Sequence, residues 1–145
     1  MTEANVSSVP LFTMANTVEA SHYPELKAVL ATWISFNSAD ARAAAERYVL
    51  ECGRVHATTL IVDVSANPGV PSQADFEWIE SHGVELTKRN GVRFVLNVHG
   101  TSAVSSMGPK RWNKSGASGG LSMYDCASLA DALSLAAELA AGRAA

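Results

Sequence analysis

The chain has little cysteine, no long apolar run and no excess of basic residues, and each absence excludes a class of protein. Its 145 residues include two cysteines, Cys52 and Cys126. Neither cysteine belongs to a C-x-x-C pair, the usual signature of a thiol redox site or a zinc site. We therefore expect two buried, reduced thiols, no disulfide, no metal and no cofactor.

No stretch approaches the roughly 20 apolar residues that a membrane-spanning helix requires. The first ten residues, MTEANVSSVP, contain neither a basic cluster nor an apolar run, so we expect no signal peptide. The net charge of -3 and the sequence pI of about 5.7 do not suit a nucleic-acid-binding surface, which is normally basic. These observations predict a soluble, cytoplasmic protein with no membrane span and no nucleic-acid partner.

The composition suits a folded chain, because 48% of the residues are apolar and 17% are charged. A chain of this length is typical of one domain that buries about two-thirds of its unfolded surface. We expect a disordered tail over residues 1–8 and a single α/β domain over residues 9–145.

Hydrophobic periodicity predicts the order of the elements. Residues 9–15 and 26–36 are interpreted as a hairpin, and the segment 16–24 between them holds turn residues. The later periodic segments predict strands over residues 58–64, 92–98 and 121–124, helices beginning near Ser38, Ser72 and Ser128, and a broken helical segment after residue 102. The resulting order, β-β-α-β-α-β-α-β-α, indicates a mixed sheet with helices packed on it.

Several segments of the chain carry a resemblance to a known family. They are YPELKAVLATW, TTLIVDVS, PSQADFEWIES, NGVRFVLNV and YDCASLADAL. Together they resemble the STAS-like fold of bacterial anti-sigma-factor antagonists, and more closely the bacterial STAS/SEC14-type proteins. The resemblance covers roughly residues 12–140 and implies a small regulatory domain that acts by binding another protein.

The same resemblance implies a phosphorylation site. In the antagonists, a serine in an Asp-Ser-Ser-Gly-like motif begins the helix after the equivalent strand, and its phosphorylation switches the partner. The corresponding stretch here is Val70-Pro71-Ser72-Gln73-Ala74, which lacks the flanking Asp and Gly. Ser72 alone matches the regulated serine, and Ser65 in the preceding loop is a second candidate.

Ser72 also has a purely structural interpretation. With Asp75 three residues later it forms the pattern of a capping box, in which the serine hydroxyl caps the helix. A phosphate at the same place would meet free backbone N–H groups and the positive end of the helix dipole. The sequence leaves both interpretations open.

A second group of candidates follows from the expected sheet. Asp63 and His99 stand near the carboxyl ends of two predicted strands, where ligands of α/β sheets tend to bind. Trp112 lies within the basic segment PKRWNK, which suits either a ligand contact or a solvated helix edge. No G-x-S-x-G motif accompanies the acid and the imidazole.

Three functions are compatible with these residues. The leading hypothesis is a non-enzymatic regulatory or scaffold domain that binds a protein partner, which includes a second copy of the chain. The alternative is a binder of a small apolar or lipid-like ligand, held between sheet and helices near Trp33 and Trp78. The third is a small enzyme that uses Asp63 and His99.

Overall fold

The computed structural model describes residues 7–36, 40–66, 72–99, 114 and 116–142. After an initial run of three strands, strands alternate with helices as far as β5. In chain order the elements are β1 (Val9–Met14), β2 (Val18–Tyr23), a 3₁₀ turn (Pro24–Leu26), β3 (Ala28–Trp33), α1 (Ala41–Arg54), β4 (Thr59–Asp63), α2 (Gln73–Trp78), a π-helical turn (Ile79–Gly83), α3 (Val84–Arg89), β5 (Phe94–Val98), β6 (Ser122–Cys126) and α4 (Leu129–Ala140).

The six strands form one mixed sheet in the order β1-β2-β3-β4-β5-β6. The first three strands pair antiparallel, and β3 to β6 pair parallel. Parallel neighbours need a crossover connection, and α1 and the α2–α3 segment supply the first two. The predicted α/β class, with helices packed on a mixed sheet, is confirmed.

The structure contains a strand, β2, in a segment whose sequence pattern we interpreted as turn. The actual turn is short: the Thr17 N–H donates to the Met14 carbonyl over 3.0 Å, and Asn16 takes a left-handed φ of 58°. The second predicted strand also begins later than expected, because Leu26 belongs to the 3₁₀ turn and Lys27 is left-handed. The predicted hairpin is therefore a three-stranded meander.

The ends of α1 also differ from the prediction. Asp40 is the N-cap residue, whereas Ser38 lies outside the described residues. A glycine such as Gly53 is a typical C-terminal stop, but α1 continues past it to Arg54, and His56 takes the left-handed conformation. Gly53 has no room for a side chain, because a Cβ there would collide with the side chain of Asn90, which follows α3.

The sheet has two covered faces, which we call the α1 face and the α4 face. The α1 face packs under α1, α2 and α3, and its buried side chains include Val29, Trp33, Tyr48, Leu60, Val62, Val84 and Val95. The α4 face packs under α4, and its buried side chains include Leu30, Ile61, Leu96, Val98, Cys126, Leu133 and Leu139. Successive strand residues alternate between the faces, so both are apolar where β4 and β5 run.

Candidate functional site

Four of the five candidate site residues lie at the carboxyl edge of the parallel strands. Asp63 ends β4, Ser65 follows it, His99 follows β5, and Ser72 begins the helix that leads away from β4. The fifth candidate, Trp112, lies outside the described residues. We call the set Ile34, Ser65, Ser72, His99 and Asp125 the carboxyl-edge surface.

Asp63 is a buried carboxylate with a local partner. Its side chain lies on the α4 face, because the neighbouring Val62 and Val64 pack on the α1 face. Its Oδ1 accepts hydrogen bonds from the Ser65 backbone N–H at 2.9 Å and from the Ser65 hydroxyl at 2.6 Å. These bonds satisfy a group that is 8% exposed, and they close the turn after β4.

His99 lies next to Asp125 on the other face of the sheet. Asp125 is in register with Asn97, and both lie on the α1 face because their strand neighbours pack on the α4 face. The His99 Nε2 is 3.5 Å from the Asp125 Oδ1, and the two side chains are 24% and 52% exposed. Asn97, the register partner of Asp125, is buried at 2% exposure.

The structure therefore does not bring Asp63 and His99 together. Their strands are adjacent, but the two side chains point to opposite faces of the sheet. Ser65 binds Asp63, while Asp125 is the acid that contacts the imidazole. Among the described residues, the candidates Ser65, Asp63 and His99 therefore do not form one relay of the kind that nucleophilic catalysis requires.

Ser72 caps α2 as the sequence pattern indicated. Its Oγ accepts a hydrogen bond from the Asp75 backbone N–H at 3.1 Å, and its φ and ψ of -66° and 164° are those of an N-cap. The Asp75 carboxylate also binds Arg42 of α1, with 2.7 Å between Arg42 Nε and Asp75 Oδ1. Ser72 is therefore exposed at the start of α2, and the Arg42–Asp75 ion pair connects this first turn to the first turn of α1.

An exposed apolar side chain completes the edge. Ile34, directly after β3, is 42% exposed. The adjacent Trp33 is 4% exposed and packs against Phe36 and Tyr48, with ring centroids 4.8 and 5.9 Å apart. Aromatic rings of the chain itself therefore pack against Trp33 on the α1 face.

Sequence reasoning missed Arg42, Asp125 and Ile34. Arg42 carried no local signal, because its partner is 33 residues away in the chain. Asp125 lies in the predicted closing segment YDCASLADAL, but its contact with His99 depends on the register of β5 and β6. Ile34 was assigned to a strand interior, and only the end of β3 at Trp33 exposes it.

The described ranges hold no group of three His, Cys, Asp or Glu side chains that could bind a metal ion. No helix within them is long and apolar enough to cross a membrane. No protein-family model, no curated protein and no solved structure matches the chain. The geometry of the carboxyl edge is therefore the basis for assigning a function.

Proposed function

We propose that the chain is a non-enzymatic, cytoplasmic regulatory domain that binds a protein partner through the carboxyl-edge surface. Phosphorylation of Ser72 is the proposed switch. The observation that supports this function is the exposed Ser72 hydroxyl at the start of α2, tied through Asp75 to Arg42. A phosphate on Ser72 would be bound by the start of α2 and by Arg42, and it would remain exposed to a partner.

The electrostatics of the site favour a phosphate on Ser72. The group would carry close to two negative charges near the free N–H groups at the start of α2, where the helix dipole favours an anion. Arg42 is 46% exposed, so its guanidinium has room to turn from Asp75 to a phosphate. A phosphate would therefore exchange one ion pair for another and change the charge of the surface without unfolding the helix.

The composition of the surface suits a protein interface. Protein interfaces combine an apolar centre with a polar rim. Here Ile34 is the exposed apolar residue, and the serines, His99 and Asp125 are the polar ones. A second copy of the chain is the simplest partner of this kind, and a different regulatory protein is the other.

The arrangement gives less support to the other two functions. An enzyme that used Asp63 and His99 would need their side chains on one face of the sheet, and they lie on opposite faces. A binder of an apolar ligand would need room beside Trp33, where Phe36 and Tyr48 pack. Neither requirement applies to a partner-binding surface.

The test is native mass spectrometry of the protein isolated gently from its own host. We expect a defined protein complex, homomeric or heteromeric, whose recovery changes at least severalfold in Ser72→Glu relative to Ser72→Ala. The matched control is Ser128, which caps α4 with the same 3.1 Å bond to Asp131. Ser128→Glu and Ser128→Ala should leave the complex unchanged.

A second pair of variants tests the surface itself. Ile34→Asp should abolish the complex, because a charge would enter its apolar centre. Leu50→Asp, at a residue of α1 that is 49% exposed, should not affect it. A protein that remains a free, unmodified monomer contradicts the proposal. So does a complex that is equally abundant in Ser72→Glu and Ser72→Ala, or one that Ile34→Asp and Leu50→Asp weaken equally.

A further inference from the structure

A basic cleft lies at the amino edge of the sheet, opposite the carboxyl-edge surface. It has a volume of about 420 Å³ between the end of α3 and the starts of β5 and β6. The residues that carry its chemistry are Lys88, Gly91, Arg93, Phe94, Gly120 and Ser122. The cleft is thus formed by segments that precede the parallel strands, and the proposed protein interface does not include it.

Lys88 and Arg93 form no ion pair with any residue in the part of the chain that the structure describes. Arg42 and Arg54, by comparison, are paired with Asp75 and Glu51. Two uncompensated positive charges therefore face one cleft in a chain whose net charge is -3.

The nearby helix end does not compete for these cations. The last carbonyls of α3 would ordinarily present partial negative charge at this place. Here the carbonyls of Leu86, Thr87 and Lys88 accept hydrogen bonds from the N–H groups of Asn90, Val92 and Gly91 respectively. These three carbonyls at the end of α3 therefore already have hydrogen-bond partners.

Two glycines line the cleft, and one of them lies close to a cation. Gly91 and Gly120 take positive φ values of 91° and 97°, a conformation that side chains rarely adopt. A Cβ on Gly120 would lie 3.2 Å from the Lys88 Nζ. The ammonium of Lys88 therefore reaches from α3 to the turn before β6, and Ser122 lines the same cleft.

We propose that this cleft binds the phosphate group of a small phosphate ester. Lys88 supplies a point charge, Arg93 a planar fork of N–H donors, and Ser122 a hydroxyl, a combination that suits the several acceptor oxygens of a phosphate. The Arg93 guanidinium lies 5.5 Å from the centroid of the half-buried Phe94 ring. That ring forms an apolar wall against which the organic part of the ester packs.

The experiment is a titration followed by the backbone amide signals of the ¹⁵N-labelled full chain. The probes are inorganic phosphate and phenyl phosphate, each compared with sodium chloride at equal ionic strength. We expect the amide signals of Gly91, Gly120 and Ser122 to shift with both probes. Phenyl phosphate should bind severalfold more tightly, because its ring contacts Phe94.

Charge-removing variants distinguish the cleft from general attraction of anions. Lys88→Gln and Arg93→Gln should each weaken the affinity for phosphate about tenfold, the usual effect of losing a hydrogen bond to a charged group. Arg89→Gln removes the same charge from an adjacent exposed position, outside the cleft, and should change the affinity less than twofold.

Three results would overturn the site: no shift beyond that of sodium chloride, shifts spread over basic residues elsewhere, or equal weakening by Arg89→Gln. If phosphate binds and phenyl phosphate binds no more tightly, the role proposed for Phe94 is wrong and inorganic phosphate is the ligand. Ser72 and Ile34 lie at the other edge of the sheet, so failure of the partner interface leaves this measurement unaffected.

Discussion

The Ser65 hydroxyl donates a 2.6 Å hydrogen bond to the buried carboxylate of Asp63. Hydrogen bonds to charged groups contribute about 1.5–3 kcal/mol, and the cost of losing one is largest when the charge remains buried. Ser65→Ala should therefore lower the free energy of unfolding by about that amount in urea denaturation. Ser65→Thr retains the hydroxyl and should cost clearly less. Equal losses in the two variants would show that the bond does not stabilise the turn.

The two serine caps should contribute equally to stability. Ser72 and Ser128 each accept a 3.1 Å bond from the backbone N–H three residues later. Replacement of either by alanine should cost about 1 kcal/mol. The helices that they cap pack on opposite faces of the sheet, so the double variant should lose the sum. Urea denaturation of the four proteins checks this, and a strongly non-additive result would contradict it.

Gly53 should be a position where alanine destabilises a helix. In open space Gly→Ala in a helix is favourable by about 1 kcal/mol. Here the added Cβ would meet Asn90, whose Nδ2 is held by the Leu86 carbonyl at 2.9 Å. We expect Gly53→Ala to lower the melting temperature in the wild-type background and to lower it clearly less in Asn90→Ala, which removes the nearest atoms of the Asn90 side chain. An identical effect in both backgrounds would exclude the contact as the cause.

Stability should fall at alkaline pH because of Cys52. Burial raises the pKa of its thiol to about 12, whereas the unfolded thiol ionises near its ordinary pKa of about 8.5. Above that ordinary pKa the unfolded chain binds fewer protons than the folded one. The contribution is therefore complete below about pH 8.5 and is lost towards pH 12, by up to about 1.4 kcal/mol per pH unit.

The measurement is urea denaturation of wild type and Cys52→Ala at pH 7, where packing alone distinguishes them, and again at alkaline pH. We expect the difference in unfolding free energy between the two proteins to shrink as the pH rises. A difference that is independent of pH would show that the thiol ionises alike in both states.

The later elements of the fold were predictable because their signals are local and repeated. The strands β4 and β5 are continuous apolar runs covered on both faces. The start of α4 is specified by Ser128 and Asp131. These features need no knowledge of the rest of the chain, so the sequence indicated them at nearly the correct residues.

The strand β2 was missed although its period was present. Val18 and Ala20 are buried while Glu19 is exposed, which is the alternation of a strand. The flanking Asn16 and Pro24 are turn formers, and they made the whole segment resemble a turn. Only the pairing with β1 and β3 shows that Asn16 belongs to a tight turn and that Pro24 begins a 3₁₀ turn.

The candidate site was predictable to the level of the sheet edge and no further. Parallel strands place their carboxyl ends together, so Asp63 and His99 were expected near one another. Which face each side chain takes depends on the phase of the alternation in its strand, and a shift of one residue reverses it. The ion pair between Arg42 and Asp75 depends on how two helices pack, which periodicity does not encode.

The strand order β1 to β6 follows the order of the chain, so every strand pairs with the one before it. During synthesis each new strand therefore meets an edge that is already formed, and no strand must wait for a distant segment to be inserted. The described strand pairs thus join segments that follow one another in the chain, which keeps the contact order low for a sheet of six strands and favours fast folding.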